Sequence, residues 1–169
     1  MIRHDQHLVL VGMMGSGKTT VAKLLAERMH RPVLDTDDLV ERRTGRTVRD
    51  IFSTDGEAAF REIEASVLAE VLASENPVIV AAAGGVVLGA ANRQALKQSG
   101  ARVVWLCADP STLVERVKGG PHRPLLDADP AGTLQRMFSD REALYREVAD
   151  AIVLVDHRTP FEVVEAVLR

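Results

Sequence analysis

Residues 12–19 read GMMGSGKT, which fits the pattern of a glycine, four variable residues, and then Gly-Lys followed by Ser or Thr. A short aliphatic run at residues 8–11 precedes this stretch, and apolar residues at helical spacing follow it as far as Met29. A strand, a glycine-rich loop and a helix in this order form a phosphate-binding loop, in which backbone N–H groups and the helix dipole face an anion. The stretch therefore predicts a nucleotide phosphate site at the start of an α/β fold.

Two side chains of this loop suit a nucleoside triphosphate. Lys18 can reach the β- and γ-phosphates, and the Thr19 hydroxyl can ligate Mg²⁺. The predicted contacts with ATP are Gly15, Ser16, Gly17, Lys18, Thr19 and Thr20. An ordinary glycine turn capped by Thr19 is the simpler interpretation of the same residues, but the strand before the loop and the helix after it favour the phosphate site.

The alternation of strands and helices continues along the chain. Four more apolar runs are predicted as strands, at residues 33–35, 78–83, 101–107 and 151–155. Helices are predicted over residues 38–43, 60–72, 90–99 and 134–148, and directly after the caps Thr47, Asp109 and Thr159. This order predicts a single three-layer α/β/α domain over residues 1–169, with a five-stranded parallel sheet of the P-loop NTPase type.

One stretch interrupts this rhythm. Residues 118–129 carry Gly119, Gly120, Pro121 and Pro124 among charged residues. A loop of this length is typical of a functional lid rather than of a connector. We therefore predict a mobile lid over about residues 118–129.

Charge and cysteine content exclude some classes of partner. The 21 basic and 24 acidic residues give a formal net charge of −3, so no broad positive field points to a nucleic acid or an anionic membrane. The basic residues are 17 arginines and 4 lysines; arginine suits bidentate recognition of anions, although codon bias explains much of this excess. The single Cys107 excludes an intramolecular disulfide, and no uncharged stretch is long enough to span a bilayer. We expect a cytoplasmic protein with neither a nucleic-acid nor a membrane partner.

Two carboxylates follow the second predicted strand. Asp35 and Asp37 stand two residues apart, so they point in similar directions on an extended backbone. One can hold water bound to Mg²⁺, and the other can accept a hydroxyl proton. The competing interpretation is a helix cap with acidic residues in the first turn.

Arg61 and the Gly84-Gly85 pair are two further candidates. Arg61 lies one position beyond the apolar stripe of the long helix, where it can grip an anion or form a surface pair with Glu64. The glycine pair ends the third strand and lets backbone amides approach a ligand closely, although a simple turn also explains it. Because the chain has no Asn-Lys-x-Asp guanine reader, these clusters and the phosphate loop together indicate a small-molecule kinase.

Taken together, these segments closely resemble the shikimate kinase family over nearly the whole chain. The resemblance lies in GMMGSGKTT at 12–20, LDTD at 34–37, TGRTVRDIFSTDGEAAFREIE at 44–64, the Gly84-Gly85 turn, RPLL at 123–126 and REALYREVA at 141–149. It implies ATP-dependent phosphorylation of the 3-hydroxyl of shikimate, a step toward chorismate and the aromatic amino acids. It also implies a nucleoside-monophosphate-kinase-like fold and a monomer.

The resemblance implies roles for the matching acidic and basic residues. Asp37 matches the aspartate that binds the substrate hydroxyls and is the expected base, and Asp35 matches the aspartate near Mg²⁺. Arg61 and Arg141 match the pair that grips the shikimate carboxylate. The helical part of the shikimate site is expected over about residues 37–64.

Further roles follow from the glycine turn and from the lid. Gly84, with Gly85 beside it, matches the glycine whose backbone amide contacts the substrate. Arg123 matches the lid arginine that closes over the ATP phosphates and stabilises charge in the transition state. The expected catalytic residues are therefore Asp37, Lys18 and Arg123.

The chain departs from the family at one position, and its adenine contacts are not fixed by a motif. Ala83 stands where the family usually has the first of three glycines. Arg116, Arg158 and Pro160 are candidates for the adenine pocket, and Arg158 is a predicted ATP contact. The alternative functions are another small-acid kinase, such as a gluconate kinase, and a catalytically silent nucleotide-binding regulator on the same fold.

Overall fold

The computed structural model describes residues 2–118 and 128–169, and this part of the chain forms one parallel sheet. Its strands are β1 (Leu8–Val11), β2 (Val33–Asp35), β3 (Ile79–Ala81), β4 (Arg102–Cys107) and β5 (Ala151–Leu154). They are hydrogen-bonded in the order β2-β3-β1-β4-β5, and each neighbouring pair is parallel. The predicted five-stranded parallel sheet is confirmed.

Helices cover the sheet in two layers, with α1 against α8 in one layer and α5 against α4 and α7 in the other. The helices are α1 (Lys18–Met29), α2 (Thr36–Thr44), α3 (Val48–Thr54), α4 (Glu57–Leu72), α5 (Ala90–Gln98), α6 (Pro110–Lys118), α7 (Pro130–Val148) and α8 (Pro160–Leu168). Over residues 2–118 and 128–169, none of the helices combines the length and the apolar character needed to cross a membrane.

Burial explains why the central strands read as continuous apolar runs. All four residues of β1 are fully buried, as expected for a parallel strand covered on both faces. A second, smaller core lies apart from the sheet and consists of Val40, Ile51, Phe60 and Val67. Because these residues come from α2, α3 and α4, the small core fixes these three helices against one another.

The predicted third strand, 78–83, is longer than the observed β3. Val78 donates its backbone N–H to Nδ1 of His7 (3.2 Å), and Ala83 donates its own to the Thr36 hydroxyl (2.9 Å). Val78 and Ala82 still share backbone hydrogen bonds with β1, so only the N–H groups of Val78 and Ala83 turn to side-chain acceptors at the two ends of the run. The other strands agree with prediction to within one residue, whereas a 3₁₀ turn at Val86–Leu88 was not predicted.

The sheet order brings the predicted clusters together. The phosphate loop follows β1, Asp35 ends β2, and the Gly84-Gly85 turn follows β3. Since β3 lies between β2 and β1, and all three are parallel, these segments leave the sheet side by side at one edge. The functional site is therefore expected at this edge.

The cap of α8 gives a test of how local sequence stabilises the fold. The Thr159 hydroxyl accepts a hydrogen bond from the Glu162 N–H, and the Glu162 carboxylate accepts one from the Thr159 N–H. We predict that Thr159→Ala lowers the free energy of unfolding by about 1 kcal/mol, because one N–H at the helix start loses its acceptor. Gln135→Ala, at an exposed position within α7, is the control and should change it little. Equal losses in urea denaturation of the two variants would contradict the assignment.

Candidate active site

The loop at residues 12–19 joins β1 to α1 and concentrates polar groups at the helix start. Gly17 precedes α1 with a φ of 92°, a left-handed conformation that favours glycine. The Lys18 ammonium donates to two carbonyl oxygens of the loop, at 2.8 and 3.0 Å, and so lies across it. The Ser16 hydroxyl is buried and finds no hydrogen-bond partner in the described part of the chain. A cation and an unpaired hydroxyl in a glycine-rich turn are suited to phosphate oxygens.

A cavity of about 390 Å³ connects this loop to the predicted acceptor residues. Its walls include the carboxylates Asp35 and Asp37, together with Gly84 and Arg116. Of the predicted ATP contacts, the cavity is lined by Gly15, Gly17, Lys18, Thr19 and Thr20. The structure thus places a phosphate loop and a pair of carboxylates around one space.

Asp35 has two contacts, which reconcile the two interpretations of the acidic pair. One carboxylate oxygen accepts from the Asp37 N–H (3.0 Å), so Asp35 caps α2, and the other accepts from the Thr19 hydroxyl (3.1 Å). The adjacent hydroxyl and carboxylate fit Mg²⁺, which binds few protein oxygens and completes its shell with water and phosphate oxygens. Among residues 2–118 and 128–169, no cluster of three His, Cys, Asp or Glu side chains offers a metal site made by protein alone.

Asp37 lies in the first turn of α2, and its carboxyl group is unusually basic. Burial, and to a lesser extent the neighbouring Asp35 carboxylate, raise the pKa of Asp37 to about 6 against the opposing charges of Lys18 and Arg61. A carboxyl group with this pKa is mostly ionised at neutral pH yet binds a proton more readily than an ordinary aspartate. It is therefore suited to accept a proton from a hydroxyl group.

Arg61 projects from α4 and is fixed by several contacts. Its Nη1 donates to both carboxylate oxygens of Glu64, at 3.0 and 3.1 Å, and its guanidinium lies over the Phe60 ring at 5.1 Å. The predicted i,i+3 pair between Arg61 and Glu64 is therefore present, but its expected surface position is wrong, because the Glu64 side chain is 0% exposed. Burial raises the pKa of Glu64, and the charge of Arg61 opposes this rise. The ion pair thus holds the guanidinium in one place.

Two guanidinium groups flank the glycine turn. A Cβ atom on Gly85 would lie 2.2 Å from Nη2 of Arg61, and one on Gly84 would lie 3.7 Å from Nη1 of Arg141. Arg141 is buried on α7. The structure therefore brings together four predicted substrate contacts: Arg61 and Arg141, which are expected to bind a carboxylate, and the two glycines of the turn. Two planar cations beside an accessible backbone suit the bidentate binding of a small carboxylate.

The alanine that precedes this turn fits without strain. The φ of Ala83 is not positive, and its N–H donates to the Thr36 hydroxyl at 2.9 Å. Ala83 lines the cavity together with Gly84. A side chain at this position is therefore compatible with an open approach to the turn.

The predicted adenine contacts lie around a second cavity, of about 300 Å³, which adjoins the phosphate loop. Arg116, Arg158 and Pro160 all line this cavity, together with Ser16. Arg116 also donates to the carbonyl oxygens of Gly15 (3.2 Å) and Val155 (3.3 Å). Most of the lid predicted over residues 118–129 lies outside the described residues. The predicted lid residue Arg123 also lies outside them.

Three residues of this edge were not predicted as site residues from the sequence. Thr36 joins α2 to the glycine turn, Glu64 holds Arg61, and Tyr145 donates a hydrogen bond to the Gly84 carbonyl. Glu64 had a visible signal, since it occupies an apolar-stripe position four residues after Phe60, where a carboxylate needs a buried partner. The contacts of Thr36 and Tyr145 depend on tertiary packing and left no such signal.

The comparisons with known proteins agree on one protein family. The family model described as Shikimate kinase matches residues 14–169. The shikimate kinase of Symbiobacterium thermophilum is 48% identical over 165 residues, covering 96% of this chain and 94% of its own length. A solved structure described as shikimate kinase from Acinetobacter baumannii in complex with shikimate superposes with a TM-score of 0.90 at 36% identity, covering 96% of this chain and 90% of that one. A gluconokinase from Sinorhizobium meliloti, at 23% identity and a TM-score of 0.61, shares the fold alone.

The raised pKa of Asp37 predicts a pH-dependent cost in stability. Its pKa is about 6 in the folded protein against 3.8 for the free group, so the folded state loses stability as pH rises between these values. We predict that Asp37→Asn raises the free energy of unfolding at pH 8 by up to about 3 kcal/mol, as measured by denaturant unfolding. This gain should shrink toward pH 4. The exposed Asp38→Asn is the control. An advantage of equal size at both pH values would contradict this assignment.

Proposed function

The chain belongs to the shikimate kinase family, and we propose that it catalyses transfer of the γ-phosphoryl group of ATP to the 3-hydroxyl of shikimate, giving shikimate 3-phosphate and ADP. The observation that carries this proposal is that two guanidinium groups lie beside the Gly84-Gly85 turn, that of Arg61 next to Gly85 and that of Arg141 near Gly84. This turn adjoins the cavity that the phosphate loop and Asp37 also line. A carboxylate bound at the turn leaves the hydroxyl groups of a small ring within reach of that cavity.

On the acceptor side, binding and proton transfer fall to different residues. Arg61 and Arg141 bind the shikimate carboxylate through parallel hydrogen bonds, and the backbone of Gly84 and Gly85 approaches the same group. Asp37 accepts a hydrogen bond from the acceptor hydroxyl and takes its proton as the oxygen attacks phosphorus. Its pKa of about 6 allows this at neutral pH.

On the nucleotide side, the loop holds the phosphates in line with the acceptor. Backbone N–H groups of residues 15–20 bind the phosphate oxygens, and the Lys18 ammonium stabilises the charge that develops on transfer. Thr19 and Asp35 would hold Mg²⁺, which would supply positive charge to neutralise the phosphates of ATP. Adenine lies in the second cavity, beside Arg116, Arg158 and Pro160.

The lid and the setting of the enzyme complete the proposal. We assign Arg123 to the closure of a lid over residues 118–129, which excludes water so that ATP is not hydrolysed. A single domain of 1–169, acting as a monomer, is sufficient because one chain supplies all the proposed groups. We place the enzyme in the cytoplasm, where ATP is available and an unpaired Cys107 stays reduced.

The choice of acid is the direct test of this proposal. In a coupled assay with ATP and Mg²⁺, we predict ADP release that depends on shikimate, with much slower release on quinate or gluconate. Gluconate-dependent release without a response to shikimate would favour the small-acid kinase alternative. ATP binding with no acid-dependent release at all would favour the silent regulator.

Removing the base should separate catalysis from nucleotide binding. We predict that Asp37→Asn lowers kcat by about 100-fold or more, because the amide cannot take the hydroxyl proton, and that KM for ATP stays within about twofold. In the parent enzyme, kcat/KM for shikimate should fall below about pH 6, as Asp37 becomes protonated. The exposed Asp38→Asn should leave both parameters unchanged. A normal kcat in Asp37→Asn would remove this residue from the proposed role.

Replacing Arg61 with lysine should weaken binding of the acid without changing binding of ATP. We predict that Arg61→Lys raises KM for shikimate by about tenfold or more, since an ammonium group cannot reproduce two parallel hydrogen bonds, with little change in KM for ATP. Arg49→Lys, at an exposed position in the neighbouring α3, is the matched control. The same KM for shikimate in both variants would count against the role of Arg61.

A further inference from the structure

Tyr145 is a buried polar residue for which the proposed mechanism has no use. Its side chain is 0% exposed, and its hydroxyl donates a hydrogen bond to the carbonyl oxygen of Gly84. It lies on α7, one helical turn after Arg141. A phenylalanine would fill the same apolar space without needing a partner for a hydroxyl group.

The hydroxyl group is held in its donor state and in one orientation. The Tyr145 ring stacks on Trp105, with ring centroids 5.4 Å apart and planes inclined by 23°. Burial raises the pKa of Tyr145 to about 12, although the positive charge of Arg141 and a hydrogen bond from its side chain to the Tyr145 hydroxyl oppose this rise. The hydroxyl therefore keeps its proton at neutral pH, and the stacked ring cannot swing away from Gly84.

Fixing the Gly84 carbonyl also fixes the peptide that it belongs to. The peptide between Gly84 and Gly85 is planar and trans, so its N–H points away from its carbonyl oxygen. The N–H groups of both glycines lack an acceptor in the described part of the chain. Glycine is otherwise the most flexible residue, and two in sequence would let this peptide rotate.

We propose that Tyr145 is a positioning residue for substrate binding. Its hydroxyl holds the Gly84-Gly85 peptide, so that the backbone N–H groups of the turn and the Arg61 guanidinium beside Gly85 are in place before the acid binds. This inference rests on the proposed function, because the acid concerned is shikimate. Tyr145 itself does not touch the reacting atoms. It acts through the peptide, and Arg141 on the same helix binds the same carboxylate.

This role differs from simple core packing in what it predicts. A residue that only packs the core affects folding and both substrates together. A residue that orients the glycine peptide changes KM for the acid, because the carboxylate binds at this peptide. It leaves KM for ATP unchanged, because ATP binds at the loop and the second cavity. The ratio between the two KM values therefore distinguishes the roles.

The test is Tyr145→Phe, which removes the hydroxyl and keeps the ring. We expect KM for shikimate to rise about fivefold to tenfold, the size of one lost hydrogen bond, with KM for ATP within about twofold. The Gly85 amide resonance of the free protein should also shift and exchange faster with solvent. Phe138→Leu is the matched control, since the Phe138 ring also lies near Trp105, with ring centroids 6.4 Å apart, and has no hydroxyl group to donate a hydrogen bond.

Each outcome decides between the claims. If the parent enzyme releases ADP with shikimate but Tyr145→Phe keeps its KM for shikimate within twofold, the inference is wrong and the proposed function stands. If both variants raise the two KM values in parallel, Tyr145 only packs the core, and the inference is again wrong. If the parent enzyme gives no shikimate-dependent release, the proposed function fails, and the inference fails with it.

Discussion

Parallel pairing of β2, β3 and β1 is the constraint on which the rest of the site depends. Because these strands run in one direction and lie side by side, the segments that follow them leave the sheet at one edge. The phosphate loop, the capping Asp35 and the glycine turn thus become neighbours although they are far apart in sequence. Thr36 adds a direct link, because its hydroxyl accepts the Ala83 N–H and so joins the start of α2 to the turn.

Charge is the second organising feature of this edge. Three cations, Lys18, Arg61 and Arg141, converge on a region that also holds the carboxylates Asp37 and Glu64. Burial raises the pKa of both carboxyl groups. The charges of Lys18 and Arg61 oppose this rise at Asp37, and the charge of Arg61 opposes it at Glu64, so the partly buried charges depend on one another. The formal net charge of −3 gives no sign of this local positive site. The loss of stability that accompanies the raised pKa of Asp37 is the expected consequence of placing functional charges together.

Local patterns in the sequence were sufficient for the elements and for the residues with recognisable chemistry. The glycine loop and the alternation of apolar runs with helical segments predicted a five-stranded parallel sheet with a phosphate site. The acidic pair added candidates for a metal contact and a base, and the family resemblance added Arg141. Contacts between distant segments were not predictable. Tyr145 and Thr36 act through single hydrogen bonds to backbone atoms about 50 to 60 residues away, and no periodicity records such a contact. The end of the third apolar run was not predictable for the same reason, since the Ala83 N–H pairs with the Thr36 side chain and not with a neighbouring strand.

Transfer of the phosphoryl group to shikimate is tested most directly by following the γ-phosphorus of ATP by phosphorus NMR in the presence of Mg²⁺ and shikimate. We expect a single new phosphomonoester signal, coupled to a ring proton of shikimate and equal in amount to the ADP formed. Free phosphate as the only new signal would mean that the site hydrolyses ATP without transferring the phosphoryl group to the acid, and it would rule out the proposed reaction.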